Sequence, residues 1–314
     1  MLARLQRAMV FTLLALAAAW NAWWLPQERW LLALAGSLLI ALPHAPVLAL
    51  EFLLLRRVHR DGEVPRASGR ALFAAWRHEV VADVVVFGWR QPFRSRAEAD
   101  HLPADAQGRR AVLLVHGFIC NRAAWNPWMR RLRAAGCPFV AVDLEPVFAP
   151  IESYVPIIEA AVQRLTRATG RRPLVVAHSM GGLAVRAWLA GAAPAPGGEA
   201  GAAMDPVDAR TAGVVTIGSP HHGTWLARFG TTVNTRQMRL GGDWVEALRR
   251  REPAARYRRF TCWHSHCDNV VFPASTSRLP GADNRHVPGM AHLQMLSHPA
   301  VFADVLRRLQ APGG

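Results

Sequence analysis

The chain has no lysine: across 314 residues, a net charge of +15 is carried by arginine alone. A nucleic-acid-binding face gathers its basic residues into one patch with interleaved aromatics. Here the doublets Arg130-Arg131, Arg171-Arg172 and Arg258-Arg259 are scattered, so no nucleic-acid partner is expected, and arginine-only basicity reads as codon composition. Cysteine is also scarce. Cys120, Cys137, Cys262 and Cys267 leave the redox compartment open: they stay reduced in a cytoplasm, and in an exported domain Cys120 and Cys137 are the pair to test for a disulfide. Cys262, His264 and His266 alternate, so a strand puts them on one face. With Cys267 they still match no standard zinc spacing, and no metal is expected.

What the chain has in quantity is apolar sequence at its start. Residues 8–25 carry no charge, with only Thr12 and Asn21 polar, and at ~1.5 Å per residue they reach roughly 27 Å, enough for a bilayer core. A second run, 30–55, is interrupted by Pro43, His44, Pro46 and Glu51. Trp20, Trp23, Trp24 and Trp30 cluster at the turn between the runs, as in an interfacial aromatic belt. The pattern predicts a transmembrane helical hairpin, residues 1–57, whose second span is kinked at its prolines. A signal peptide, with Arg4, Arg7 and the Ala17-Ala18-Ala19 stretch, is the competing reading of the first run. It leaves the second run unexplained. Residues 58–110 read as an amphipathic connector, and 111–314 is long enough for one α/β domain.

Within that domain, apolar β-branched runs at 111–115, 139–144, 174–178, 214–217 and 260–264 alternate with helical stripes such as Tyr154, Ile158, Ala161, Val162 and Leu165. Strands alternating with helices imply a mostly parallel sheet covered on both faces. The run at 174–178 meets Ser179 between small residues, and a helix-forming stretch follows at once. This is the sequence form of a nucleophile elbow, with Ala177 in the first position of G-x-S-x-G and Gly181 in the last. A serine needs a base, and the base an orienting acid, in the chain order Ser, Asp, His. Asp268 follows the strand-like run at 260–264, and His292 stands in a loop before a C-terminal amphipathic helix. His221 and His222 precede the acid, Asp143 precedes the serine, and Asp283 lies in a turn. His116 and His178 are expected to hold the two turns beside the site. The N–H groups of Phe118, after the first strand, and Met180, after the serine, are the candidate oxyanion donors.

With Val115-His116-Gly117-Phe118, Ala177-His178-Ser179-Met180-Gly181, residues 216–224, Asp268-Asn269-x-Val271 and Gly289-x-x-His292 in this order, the chain resembles the α/β-hydrolase superfamily, and within it bacterial triacylglycerol lipases and esterases. The resemblance implies an α/β-hydrolase fold over 111–314, with Ser179 as nucleophile, His292 as base and acid, Asp268 as orienter, and Phe118 and Met180 as oxyanion donors. It implies no cofactor, and a lipid-like carboxylic ester as substrate. It also suggests a cap over the pocket at 225–257. Joined to the hairpin, it describes a bacterial inner-membrane serine esterase. Arg4, Arg7, Arg56, Arg57 and Arg60 place the catalytic domain on the cytoplasmic side. An acyltransferase on the same triad and an inactive membrane-bound scaffold are the alternatives. Oligomeric state is not legible.

Overall fold

The computed structural model describes residues 1–58, 64–191 and 210–311. Residues 192–201, rich in alanine, proline and glycine and read from the sequence as an exposed loop, lie outside them. The chain begins with four helices, α1 (Leu2–Trp24), α2 (Trp30–Ala41), α3 (His44–Val58) and α4 (Gly69–Asp83), then a π-helical turn, Val84–Arg90, and one short turn, α5 (Gln91–Phe93). The domain that follows runs β1 (Val112–Val115), α6 (Asn126–Ala134), β2 (Phe139–Ala141), α7 (Val155–Thr169), β3 (Leu174–His178), α8 (Met180–Gly191), β4 (Gly213–Ile217), α9 (Val233–Gln237), α10 (Asp243–Arg250), β5 (Phe260–His264), β6 (Asp283–His286) and α11 (Pro299–Gln310).

All six strands are parallel, in the order β2-β1-β3-β4-β5-β6. Alternation along the strands divides the core into two layers. Leu113, Val115, Val175 and Ala177 face α7 and α8. Val112, Leu114, Leu174 and Val176 face the other way, against Trp128 and Met129 of α6 and Phe302 and Val305 of α11. Strand order reverses at β1, whose neighbours are β2 on one side and β3 on the other. The carboxyl ends of β1 and β3 therefore flank the switch point, where open α/β sheets place their ligands.

The N-terminal helices are bound to this domain. α2 folds back along α1, with Trp20 Nε1 donating to Leu32 O at 2.9 Å and Asn21 Nδ2 donating to Ser37 Oγ at 2.7 Å. The second apolar run then breaks at Leu42-Pro43, and α3 leaves α2 at 61°. Proline removes a helical N–H and clashes with the preceding turn, which accounts for the kink. Beyond it α3 packs on α4 and on the domain itself: Phe52, Leu55, Leu72 and Ala75 share one cluster with Cys267, Phe272 and Ala291. Among the described residues one helical stretch, Leu2–Gln27, is long and apolar enough to cross a membrane; the bent pair α2–α3 reaches that length only if counted as one broken span. The segment 225–257, expected as a cap, forms α9, α10 and two 3-10 turns, with Met238, Leu248 and Tyr257 buried in the core layer of α7 and α8.

Candidate active site

β3 delivers Ser179 and α8 starts at the next residue, so the backbone must reverse within one residue. Ser179 does this at φ 54°, a left-handed conformation that is costly for a residue with a Cβ. The turn works only because its neighbours are small. A Cβ on Gly181 would stand 2.5 Å from His116 O and 2.8 Å from Val115 O, and one on Gly117 would stand 2.7 Å from Ser179 Cβ. Ala177, at the position where the motif usually has glycine, is fully buried in the sheet.

Asp268 follows β5 and is 1% exposed. Its Oδ1 accepts from the N–H groups of Val270 at 3.0 Å and Val271 at 2.8 Å, which fixes the carboxylate. His292 Nδ1 lies 3.0 Å from both Asp268 oxygens. Nδ1 therefore carries the proton, and Nε2 is left as the basic nitrogen. Burial opposes charging of the His292 ring, but Asp268 beside it outweighs this and holds its pKa above the usual histidine value. Gly218, at φ 54°, makes room for the pair: a Cβ there would meet Asp268 Oδ2 at 2.9 Å and His292 Nδ1 at 3.2 Å.

Ser179, His292, Phe118 and Gly117 line one cavity of about 770 Å³. Phe118 follows β1, and Met180 opens α8, where first-turn N–H groups have no intrahelical acceptor. The two flanking histidines hold the turns. His116 Nδ1–H donates to Gly117 O at 2.9 Å while Nε2 accepts from Leu144 N at 2.9 Å, and burial keeps the ring below the usual histidine range. His178 Nε2 lies 3.3 Å from His292 O, and burial holds this ring well below that range too.

The competing acids and histidines are engaged elsewhere. Asp143 accepts from Arg122 N at 2.7 Å, Asp283 pairs with Arg285 at 2.7 Å, and His221 Nε2 lies 2.9 Å from Thr216 Oγ1. His266 Nδ1 meets His286 Nε2 at 2.9 Å. Among the described residues no three His, Cys, Asp or Glu side chains converge as a metal site, and all four cysteines are buried thiols.

Three features of the site escaped the sequence reading. Glu79 of α4 is 1% exposed, and its carboxyl oxygens accept from Leu293 N at 2.7 Å and Gln294 N at 3.2 Å, beside His292. Burial pushes this carboxyl up to about 8, with the Leu293 N–H and His292 opposing. Asn269 Oδ1 accepts from His292 N at 3.3 Å and its Nδ2 donates to Glu51 Oε2 at 2.7 Å. The cavity wall over Ser179 comes from α1, α3 and the π-helical turn, and none of its lining residues belongs to 225–257. The available signal was an acid on an apolar stripe: Leu72, Ala75 and Glu79 fall on one helical face.

A model of the alpha/beta hydrolase family matches residues 112–305. A curated relative, Protein SERAC1 of Danio rerio, is 30% identical over 190 residues, covering 59% of this chain and 25% of its own length. The chain thus spans a quarter of that relative. Among solved structures, Bacillus licheniformis lipase BlEst2 in its mature form superposes with a TM-score of 0.53 at 17% identity, over 65% of this chain and 95% of that one. Aspergillus fumigatus lipase B superposes with a TM-score of 0.53 at 19% identity, over 70% of this chain and 57% of that one. At such identities the likeness speaks for the fold.

Proposed function

Since the chain belongs to the alpha/beta hydrolase family, we propose that it is a membrane-associated serine esterase or lipase that cleaves hydrophobic carboxylic esters. The observation that carries this reading is the left-handed Ser179 at the end of β3, sharing one cavity with a His292 already bonded to a buried Asp268. Ser179 Oγ attacks the ester carbonyl while His292 Nε2 takes its proton. Asp268 holds the ring and stabilises the imidazolium that forms. The carbonyl oxygen turns negative and accepts from the N–H groups of Phe118 and Met180; losing one such donor costs about 3–4 kcal/mol of transition-state stabilisation. His292 then protonates the leaving alcohol, and water, activated by the same ring, releases the acid from the acyl-enzyme.

Substrate class and location follow from the surroundings of the serine. Apolar side chains of α1 and of the π-helical turn, with Leu48 of α3, make up most of the cavity wall. One of those helices has the length and composition to lie in a bilayer. Both solved neighbours named above are lipases by title. Arg4 and Arg7 at one end of α1, and Arg56 and Arg57 at the end of α3, support a cytoplasmic catalytic domain; on this reading an alkaline phosphatase fused after Gly314 stays inactive.

The deciding experiment is labelling of the full chain with a fluorophosphonate, mapping of the modified residue, and assays on short- and long-chain esters. Ser179 is the residue expected to be labelled, and Ser179→Ala should lose at least about a thousandfold in rate. Ester cleavage by Ser179→Ala at the parent rate would refute the assignment.

A further inference from the structure

One face of α1 is turned to the serine. Leu2, Leu5, Met9, Leu13, Leu14 and Ala17 line the cavity that holds Ser179, and their spacing of three or four is that of a single helical face. Gln6 on the same stripe is spent on a bond to the domain, Nε2 donating to Gln91 Oε1 at 2.9 Å, and is 4% exposed. The opposite wall brings Leu48 of α3, Phe87 of the π-helical turn, Ile119 and Val270 together with the ionisable His44, Glu51, Glu79 and Asp83. The far side of α1 is open: Ala8, Ala15 and Ala18 are exposed.

We infer that this stripe is the acyl-chain binding site: a long-chain ester lies between α1 and the hydrolase domain, with its carbonyl at Ser179. The inference rests on the esterase reading and adds to it where the chain goes and which helix receives it. Size favours a chain of membrane-lipid length. A volume of about 770 Å³ falls inside the roughly 300–1,000 Å³ typical of small-molecule pockets. From Leu2 to Ala17 the stripe rises roughly 22 Å at ~1.5 Å per residue, against about 15 Å for half of a ~30 Å bilayer core, which is the depth one lipid chain occupies. Chemistry favours the acyl part over bulk lipid or a second copy of the chain. The cavity contains the reacting hydroxyl, so what fills it productively is joined to the carbonyl under attack. Leu5 and Leu14 of the cavity wall are more than half exposed, so the cavity is open beside α1 and a lipid chain reaches the serine along that helix face.

The test uses the full chain in detergent or in phosphatidylcholine vesicles, with p-nitrophenyl esters that differ only in acyl length. The parent is expected to favour the dodecanoyl over the butanoyl ester in kcat/KM. Leu13→Trp, which fills the middle of the stripe, should lower that ratio at least tenfold. Met9→Trp serves as a second filled variant should Leu13→Trp misfold. Ala15→Trp, on the outward face, should keep the parent ratio. A parent without chain-length preference, a filled variant within twofold of the parent ratio, or an equal drop in Ala15→Trp would each overturn the inference while leaving a labelled, active Ser179 intact. Failure to label Ser179 in the parent would instead remove the esterase reading, and this inference with it.

Discussion

The carboxyl group of Glu79 on α4 receives the main-chain N–H of Leu293 at 2.7 Å, one residue beyond His292. The N–H of Gln294 joins it at 3.2 Å. The loop that carries the histidine is thus fastened to the N-terminal helices and not only to the sheet that precedes it. Glu79→Ala leaves two N–H groups without their acceptor, at about 1–3 kcal/mol for each that stays buried. A shift of about 1 Å at a catalytic group costs roughly 10²-fold in rate. The expected outcome is a kcat about a hundredfold lower, counted per fluorophosphonate-titrated serine so that misfolded protein does not enter. Glu79→Gln, which keeps one acceptor oxygen, should fall between parent and Glu79→Ala. A parent-like kcat per titrated serine in both variants would make Glu79 a purely structural residue.

On the proposed mechanism the Asp268–His292 pair sets the pH dependence. A general base must be neutral to act, and Asp268 holds the His292 pKa above its ordinary value against the effect of burial. The acid limb of kcat/KM is therefore expected above the usual histidine midpoint of about 6.5. Asp268→Asn removes the opposing charge and frees the ring from its tautomer. Its limb should move to lower pH, and kcat should drop by roughly 10⁴, the loss known for this change in the serine-protease triad. A pH–rate profile of both proteins decides the matter, and a limb that moves upward contradicts the assignment.

Gly181 is the tightest point of the elbow. Its absent Cβ would stand 2.5 Å and 2.8 Å from two carbonyl oxygens of the β1 end, and main-chain atoms cannot rotate out of the way. Gly181→Ala should destabilise the fold by about 1–3 kcal/mol, as overpacking does, and displace Ser179 as well. Chemical denaturation and the labelling rate at Ser179 report the two effects separately.

Behind the elbow, the buried Arg186 of α8 is held by Glu252, with Nε 3.1 Å from each carboxylate oxygen, and by His221 O at 2.6 Å. Tyr257 Oη donates to Glu252 Oε2 at 2.9 Å. Removing one partner of a fully buried ion pair leaves a charge with no compensation, at about 3–5 kcal/mol. Glu252→Ala should therefore unfold at markedly lower denaturant than the parent, and more so than Glu246→Ala, whose surface pair with Arg249 is screened by solvent and contributes little.

Much of this architecture was legible because it is local. The strand-to-helix turn at Ser179, the chain order of Asp268 and His292, and the parallel sheet all rest on short-range pattern, and the break at Leu42-Pro43 follows from proline chemistry. The wall over the serine was not legible. Periodicity says that α1 has apolar faces all round, but not that the one bearing Met9 and Leu13 turns to a cavity. That depends on α3 swinging away at 61° to dock on Phe272 and Ala291. The resemblance to lipases points to 225–257 as the cover; the Trp225 ring packs on Phe272 at 5.9 Å, and the cavity holding Ser179 is lined by other segments. Glu79 was hidden for a similar reason: its partners are main-chain groups more than two hundred positions away, and such groups leave no trace in side-chain pattern.

The shared cluster of Phe52, Leu55, Leu72 and Ala75 with Cys267, Phe272 and Ala291 bears on how this protein is produced. Trimming the chain back to the start of the sheet would strip the cover from three apolar side chains next to the loops that carry Asp268 and His292. It would also discard the residues that receive the Leu293 and Gln294 amides. Such a fragment is expected to precipitate and to turn over esters poorly. Purification with detergent, keeping every helix, is the route that this packing dictates.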